Sequence, residues 1–187
     1  MKQPKKQTVP LSTFEEFRLW SGDFCQYVID LARKGEAHEA RVIAEGAQRK
    51  PEIRSTQRYK VQDTEILHGV LEGFDSHNVW DFCTYWGTDS LPVVEVLRYQ
   101  KGDFYKPHTD WSPFYRERKL SMTVQLSDDQ QYGGGEVLLY DGPDPWTVTQ
   151  KQGYATVWPS WTLHEVKPLI TGERWALVAW LRGPDFY

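Results

Sequence analysis

The stretch RYQKGDFYKPHTDWSPF contains a histidine and an aspartate two positions apart, His108 and Asp110. On an extended backbone residues i and i+2 point the same way, so both side chains can reach one point in space. An imidazole and a carboxylate so placed can take two positions on a metal ion. A second imidazole would complete the two-histidine, one-carboxylate set that suits Fe(II) and leaves positions open for other ligands. His164, in VWPSWTLHEVKPL, is the candidate. Taken singly, neither piece is specific. A His-x-Asp arises by chance in a chain with five histidines and 26 acids. A histidine among Trp161, Leu163 and Val166 can equally be a core residue with its hydrogen bonds satisfied.

Arg174 adds a different kind of atom. It opens the apolar run RWALVAWL, in which period-2 alternation places Arg174, Ala176, Val178 and Trp180 on one face. Trp175, Leu177, Ala179 and Leu181 fall on the other. Both faces are apolar, so this strand is expected to be covered on both sides. An arginine at its start either reaches solvent or is a partly buried charge that needs an anion. Its planar fork is suited to a carboxylate.

These residues need a scaffold. SGDFCQYVIDLARKG reads as a helix, with Ser21 as N-cap, Asp23 in the first turn and Gly35 as the stop. Its apolar stripe is expected at Phe24, Tyr27, Val28 and Leu31. AHEARVIAEGAQRKPEIRSTQRYKV is polar, with room for a short strand. DTEILHGVLEGFDSHNVWDFCTYWG reads as one helix or two, capped by Asp63 or Thr64, with Ile66, Val70, Leu71 and Phe74 inward and a break at Asp75-Ser76. After Gly87 the pattern changes to strand-length runs: PVVEVLRYQ, KLSMTVQLS, GEVLLYD, YATVWPS and RWALVAWLRG. Turn signals lie between them. The expected order is helices first, then antiparallel strands forming a sandwich or barrel with helices outside.

Composition narrows the function. The 187 residues suit one domain; 40% are hydrophobic and nine are Trp. A net charge of −4 speaks against a general nucleic-acid binder. Cys25 and Cys83 have neither zinc-finger nor disulfide-framework spacing and read as reduced thiols. MKQPKKQTVPLS has no apolar stretch after its basic start, and no run has membrane-spanning length. The expectation is a soluble, cytoplasmic protein, with residues 1–12 a disordered tail, 13–90 a helix-rich flank and 91–183 the core. His68, in a helical pattern, and His77, in a polar turn, are not read as a second metal site. Gly133 to Gly135 suit a hairpin or bulge, since no helix follows them as a phosphate loop requires. Asp128, Asp129 and Tyr132 read as a solvated loop.

Taken in order, His108-x-Asp110, His164 and Arg174 resemble the Fe(II)- and 2-oxoglutarate-dependent dioxygenases, in particular the prolyl 4-hydroxylase-like branch with its PKHD-type hydroxylases. RYQKGDFYKPHTD, LSMTVQLSDDQQYGGGEVLLYDG and TVWPSWTLHEVKPLITGERWALVAWL carry the likeness, over about residues 91 to 183. The resemblance implies a mainly β fold with flanking helices around a double-stranded β-helix (jelly-roll or cupin-like) core. It implies His108, Asp110 and His164 as ligands of Fe(II), and Arg174 on the far carboxylate of 2-oxoglutarate. Tyr99 would contact that cosubstrate and Gln125 would be a second polar partner, with Thr123 as its rival. Tyr105 would line the substrate entrance or be a plain rim aromatic, and Trp180 would wall the pocket.

The implied reaction is oxidative decarboxylation of 2-oxoglutarate by O2 with hydroxylation of an unactivated C–H bond, a peptidyl proline being the first target. Ascorbate stays open as a reductant. A peptide or protein substrate fits the basic and aromatic segments STQRYKV and DWSPFYRERK, read as loops flanking the pocket, the second of them mobile. A free amino acid or other small molecule is the alternative. The nucleic-acid demethylase branch is disfavoured, because the next arginine, Arg182, falls past the expected strand end. A non-catalytic cupin-like metal-binding module is the rival of another class. Oligomeric state is not readable.

Overall fold

A computed structural model describes residues 13–39, 52–85 and 92–185. The expected tail, residues 1–12, lies outside them. The elements, in chain order, are β1 (Glu15–Arg18), α1 (Gly22–Lys34), β2 (His38–Glu39), β3 (Arg54–Ser55), β4 (Gln57–Lys60), α2 (Thr64–Ser76), β5 (Val93–Tyr99), β6 (Phe104–His108), β7 (Arg118–Gln125), β8 (Gly133–Gly134), β9 (Val137–Tyr140), β10 (Trp146–Thr147), β11 (Tyr154–Pro159), β12 (Leu163–Val166), β13 (Leu169–Thr171) and β14 (Arg174–Arg182).

Both helices begin where their caps predict. The Ser21 hydroxyl accepts from the Phe24 N–H at 3.2 Å, and the Asp63 carboxylate from the Ile66 N–H at 3.0 Å. Asp23 in the first turn and Arg33 and Lys34 in the last complement the α1 dipole. The buried stripe of α1 is Cys25, Val28, Ile29 and Ala32, a correction to the expected one. Two of these side chains are small, which lets the helix lie close to the sheet. Tyr27 turns outward and donates its hydroxyl to Asp63 at 2.8 Å. On α2 the buried residues are Ile66, Val70, Gly73 and Phe74, with Leu71 only partly covered. The helix stops at Ser76, as its sequence break suggests, and no second helix follows among the described residues up to 85.

The strands form a seven-stranded sheet in the order β1-β11-β7-β14-β5-β4-β2 and a five-stranded sheet in the order β10-β9-β12-β6-β3. A separate pair joins β8 to β13. From β5 onward the chain crosses between the two main sheets: β5 large, β6 small, β7 large, β9 and β10 small, β11 large, β12 small, β14 large. This is the winding of a double-stranded β-helix. One face of the large sheet packs on the helices through Val94, Val96, Met122, Val124, Trp175, Leu177 and Ala179. Its other face meets the small sheet through Leu97, Tyr99, Val137, Leu139, Trp158 and Val166. Strand β14 is therefore covered on both sides, as its apolar alternation requires.

The expected order of helices before strands is corrected. Strand β1 precedes α1 and pairs with β11, while β3 and β4 lie between the helices. STQRYKV is not a loop: β4 joins the large sheet beside β5, and β3 extends the small sheet beside β6. These segments are charged because they sit at or near sheet edges, where burial no longer dictates composition.

Candidate metal centre and anion pocket

His108 ends β6 and His164 lies on β12, directly opposite it in the antiparallel register. Cross-strand neighbours share a sheet face, so pairing alone brings the two imidazoles together. Their ring centroids are 4.2 Å apart. The His108 Nδ1 lies 2.8 Å from the Lys106 carbonyl oxygen, and the His164 Nδ1 lies 2.9 Å from the Thr162 carbonyl oxygen. A carbonyl can only accept, so each Nδ1 carries the hydrogen and each Nε2 keeps its lone pair. Both lone pairs face Asp110: His164 Nε2 is 3.5 Å from Asp110 Oδ2 and His108 Nε2 is 3.9 Å from Asp110 Oδ1.

Asp110 sits two residues beyond the end of β6, and its position is fixed by the turn between β11 and β12. The N–H groups of Asp110 and Trp111 both donate to the Ser160 carbonyl, at 2.9 and 2.8 Å. The Ser121 hydroxyl on β7 donates to Asp110 Oδ2 at 2.7 Å and lies 3.0 Å from the Ser160 hydroxyl. Arg118 approaches the other side, with Nη1 3.4 Å from the Asp110 carbonyl oxygen and 4.0 Å from Oδ1. Its guanidinium is stacked between the Tyr115 and Trp180 rings, 4.0 Å from each centroid.

The electrostatics suit a cation. Burial, helped by the His164 charge, lowers His108 to about 3, so it is neutral at physiological pH. Burial alone would raise Asp110. The two histidines, Arg118 and the Ser121 hydroxyl outweigh it and hold the carboxyl at about 2. Two imidazoles and one carboxylate thus converge, with donor atoms all within 4.8 Å of one another. That separation and donor set fit a first-row divalent ion.

Arg174 begins β14 opposite Tyr99 and is 1% exposed. Its Nη2 donates to Gln125 Oε1 at 2.8 Å, and its Cζ lies 5.2 Å from the Tyr99 ring centroid. Its Nε is buried with no hydrogen-bond partner, and among the described residues no carboxylate pairs with it. A fully buried guanidinium without a counter-ion is a receptor for an anion. The Tyr132 hydroxyl is buried in the same pocket beside Arg174 and Gln150; burial pushes its ionisation upward, while the charge and hydrogen bonding of Arg174 oppose that. Between Arg174 and the triad, one face of the large sheet carries Gln125, Thr123 and Ser121 along β7, flanked by Ala176, Val178 and Trp180 of β14. Trp158, opposite Ser121 on β11, stands edge-on to His164 and has its indole N–H buried without a partner. Two buried donors without partners, Arg174 Nε and Trp158 Nε1, thus flank this face.

The site residues named from the sequence lie on the facing sides of the two sheets: Arg174, Tyr99, Gln125 and Trp180 on the large sheet, His108, Tyr105 and His164 on the small one, with Asp110 just past β6. Gln125 touches Arg174; Thr123, its rival, sits one pair nearer the triad. Tyr105 stacks on His108, with centroids 3.4 Å apart, and is an integral wall of the site. Trp180 reaches the triad through Arg118. Tyr132 corrects an expectation: it is no part of a solvated loop. Arg182 is the last residue of β14, reached after a register shift, and does not lie past the strand. His77 stacks on Phe17 and exposed His68 lies 3.6 Å from Glu72, far from any cluster of ligands. A hollow of about 260 Å³ lined by Arg33, Glu173 and Trp175 lies on the helix side and is not the site. Sequence reasoning missed Ser121, Arg118, Trp158, Tyr132 and Gly135. Ser121 was accessible in principle, since it shares the i, i+2, i+4 face of Gln125. Arg118 and Tyr132 reach the site by packing that no local pattern encodes.

The comparisons match this geometry. The family model of the 2OG-Fe(II) oxygenase superfamily matches residues 94–182, which include His108, Asp110, His164 and Arg174. Over these residues the chain is similar to the 2OG-Fe(II) oxygenase superfamily. A PKHD-type hydroxylase of Maricaulis maris is 38% identical over 104 residues, covering 54% of this chain and 47% of that protein. A second, from Parvibaculum lavamentivorans, is 37% identical over 91 residues, covering 48% and 42%. The chain thus spans less than half the length of these relatives. A Pseudomonas putida prolyl-4-hydroxylase structure superposes with a TM-score of 0.75 at 19% identity, over 93% of this chain and 95% of that one. The Trichoplax adhaerens prolyl hydroxylase, solved with a hypoxia inducible factor peptide, gives 0.71 at 18%, over 93% and 85%. At these identities the structures establish the oxygenase fold. Among the described residues no helix is long and apolar enough to cross a membrane.

Proposed function

We propose that the chain is an Fe(II)- and 2-oxoglutarate-dependent hydroxylase acting on an unactivated C–H bond of a peptide or protein, with a prolyl residue as the target. The observation that carries this reading is the joint presence, between the two main sheets, of a three-donor cluster and a fully buried arginine with no counter-ion among the described residues. The names of the PKHD-type relatives support the hydroxylase class, and the peptide-bound neighbour supports a peptide substrate. Residues 1–187 form one domain in this reading, residues 1–12 being its tail.

His108, Asp110 and His164 would hold Fe(II), and Arg174 would take the far carboxylate of 2-oxoglutarate. When bound, these groups supply the activation of O2 that aliphatic hydroxylation requires. The protein does the positioning. The Lys106 and Thr162 carbonyls hold both imidazoles in the tautomer that presents Nε2. Ser121 and Arg118 bind the carboxylate from two sides, which fixes its plane. Gln125 orients the Arg174 fork and keeps its amide N–H₂ free to donate. Tyr99 and Tyr132 close the inner end, and Trp158 and Trp180 exclude water around the outer end. Tyr105 and Trp180 face the substrate.

The test is succinate formation from 2-oxoglutarate against prolyl peptides, free amino acids and methylated oligonucleotides. Stimulation by a prolyl peptide, with a gain of one oxygen in it, is expected. Stimulation by a methylated oligonucleotide alone would overturn the substrate reading. A non-catalytic module predicts no turnover, and the unpaired Arg174 argues against it.

A further inference from the structure

The geometry points to Arg54 as the receptor for a carboxylate on the substrate, placed close to the carbon that reacts. The inference rests on the hydroxylase reading and names the chemistry of the molecule it acts on.

Arg54 lies on β3, opposite Tyr105 of β6. Cross-strand partners project to the same face, so Arg54 shares the face of Tyr105, His108 and His164. Its Cζ is 4.6 Å from the centroid of the Tyr105 ring, which itself stacks on His108. Its charge is among those that act on His108. The Nε is buried without a hydrogen-bond partner, while the residue as a whole is partly exposed. The stem is thus fixed on an aromatic face and the outer end of the fork is open to solvent. A guanidinium held like this has lost its conformational freedom before any ligand arrives, which favours binding.

No carboxylate among the described residues pairs with it. Among the described residues, the acids on the elements around Arg54 are engaged elsewhere. Asp103 accepts from the Ser55 hydroxyl and from the Gln100 N–H. Glu95 pairs with Arg58 at 2.8 Å. Asp110 faces the two histidines and Arg118. The other charge at the rim, Arg118, is a cation as well. With one carboxylate in the triad and a dicarboxylate between the metal and Arg174, the site still carries two positive charges, Arg54 and Arg118, after Fe(II) is counted. A substrate that brings a negative charge is attracted, and a cationic one is repelled. The carboxylate can be an Asp or Glu side chain beside the target residue in a peptide, or the α-carboxylate of a free amino acid.

The experiment compares matched pairs: a prolyl peptide with Asp beside the proline against the same peptide with Asn, and L-proline against L-prolinamide. Each is titrated anaerobically into the Fe(II)- and 2-oxoglutarate-loaded protein by isothermal calorimetry and assayed for succinate release. The carboxylate member of one pair is expected to bind about tenfold or more tightly than its amide, the ratio of a charge-assisted hydrogen bond. The responding pair identifies the source of the carboxylate. Arg54→Gln should abolish that ratio by raising Kd and KM for the carboxylate alone, and Arg54→Glu should favour a Lys-bearing peptide. No preference in either pair, or a preference untouched in Arg54→Gln, overturns the assignment. The visible absorption of the Fe(II)–2-oxoglutarate complex separates the two failures: its presence with no carboxylate preference sinks the Arg54 assignment alone, and its absence sinks the hydroxylase reading beneath it.

Discussion

His108 is the residue in which burial does the most chemical work. Held at about 3 against an ordinary 6.5, it stays a ligand at pH values where a surface histidine would be protonated. Stability carries the cost. In the metal-free protein the unfolded chain takes up this proton first as pH falls below about 6.5. Stability should therefore drop from there towards pH 3, by up to about 1.4 kcal/mol per pH unit for one proton. The carboxyl of Asp110, ordinarily at 3.8 and here at about 2, adds a further loss below its ordinary value. Denaturant melts of metal-free wild type and His108→Asn between pH 7 and 4 should show a flatter acid limb in the variant. Equal slopes would mean that His108 is not buried neutral. Two substitutions separate metal from cosubstrate. Arg174→Ala should raise the 2-oxoglutarate KM by about a hundredfold, the cost of losing a buried charged partner, with Fe(II) affinity nearly intact. Ser121→Ala should weaken Fe(II) by about tenfold and leave the cosubstrate requirement largely in place. If both lost the two ligands equally, the pocket would be a single indivisible unit and the roles assigned to the two residues would be wrong.

At the scale of elements, one irregularity decides what Tyr105 can do. His164 pairs with His108, and two residues on, Val166 pairs with Tyr105, three residues back. Strand β6 thus carries one extra residue, a bulge at Lys106–Pro107, where proline is tolerated because the ladder is already broken. Without it, residues 105 and 108 would face opposite sides; with it, the tyrosine stacks on the ligand and draws Arg54 to the site. The sequence shows a proline beside the His-x-Asp but not the register, which depends on strands far apart in the chain. That is why the triad was legible from residue types and order while the Tyr105–Arg54 stack was not. The glycine run behaves similarly. It reads as a hairpin or bulge, and β8 does pair with β13, yet Gly135 has a second task. A Cβ there would lie 3.2 Å from Arg174 Cδ and 3.0 Å from Leu169 Cδ1, and its φ of 69° disfavours any other residue. Gly135→Ala should lower the melting temperature through a loss of about 1–2 kcal/mol. It should also raise the 2-oxoglutarate KM by displacing Arg174. Normal cosubstrate binding in a destabilised Gly135→Ala would show that the glycine serves the turn alone.

Over the whole molecule, the work is divided by the two faces of the large sheet. One packs on α1 and α2 and carries stability; the other meets the small sheet and carries the site. Phe74 is fully buried on the helix side, remote in sequence from every site residue. Phe74→Ala should cost about 3–5 kcal/mol in a urea melt while 2-oxoglutarate KM at low temperature stays within about twofold. A changed KM would tie the helix layer to the pocket. The strand-rich second half was readable from alternation and turn residues, because its strands are long and buried. The short strands β10 and β13 were not, since two or three residues carry no period, and β1 was missed among charged neighbours; the polar stretch with room for one short strand holds three, β2, β3 and β4. The winding that places β6 beside β12 is a long-range property that came only through the family resemblance.

The central claim is that His108, Asp110 and His164 hold Fe(II) while Arg174 seats 2-oxoglutarate beside it. Anaerobic addition of Fe(II) and 2-oxoglutarate to the protein, followed by visible absorption, tests both halves together. Wild type should show a weak charge-transfer band that is absent in His108→Ala and regained in Arg174→Ala only at much higher 2-oxoglutarate. No band in wild type, or an undiminished band in His108→Ala, would contradict it.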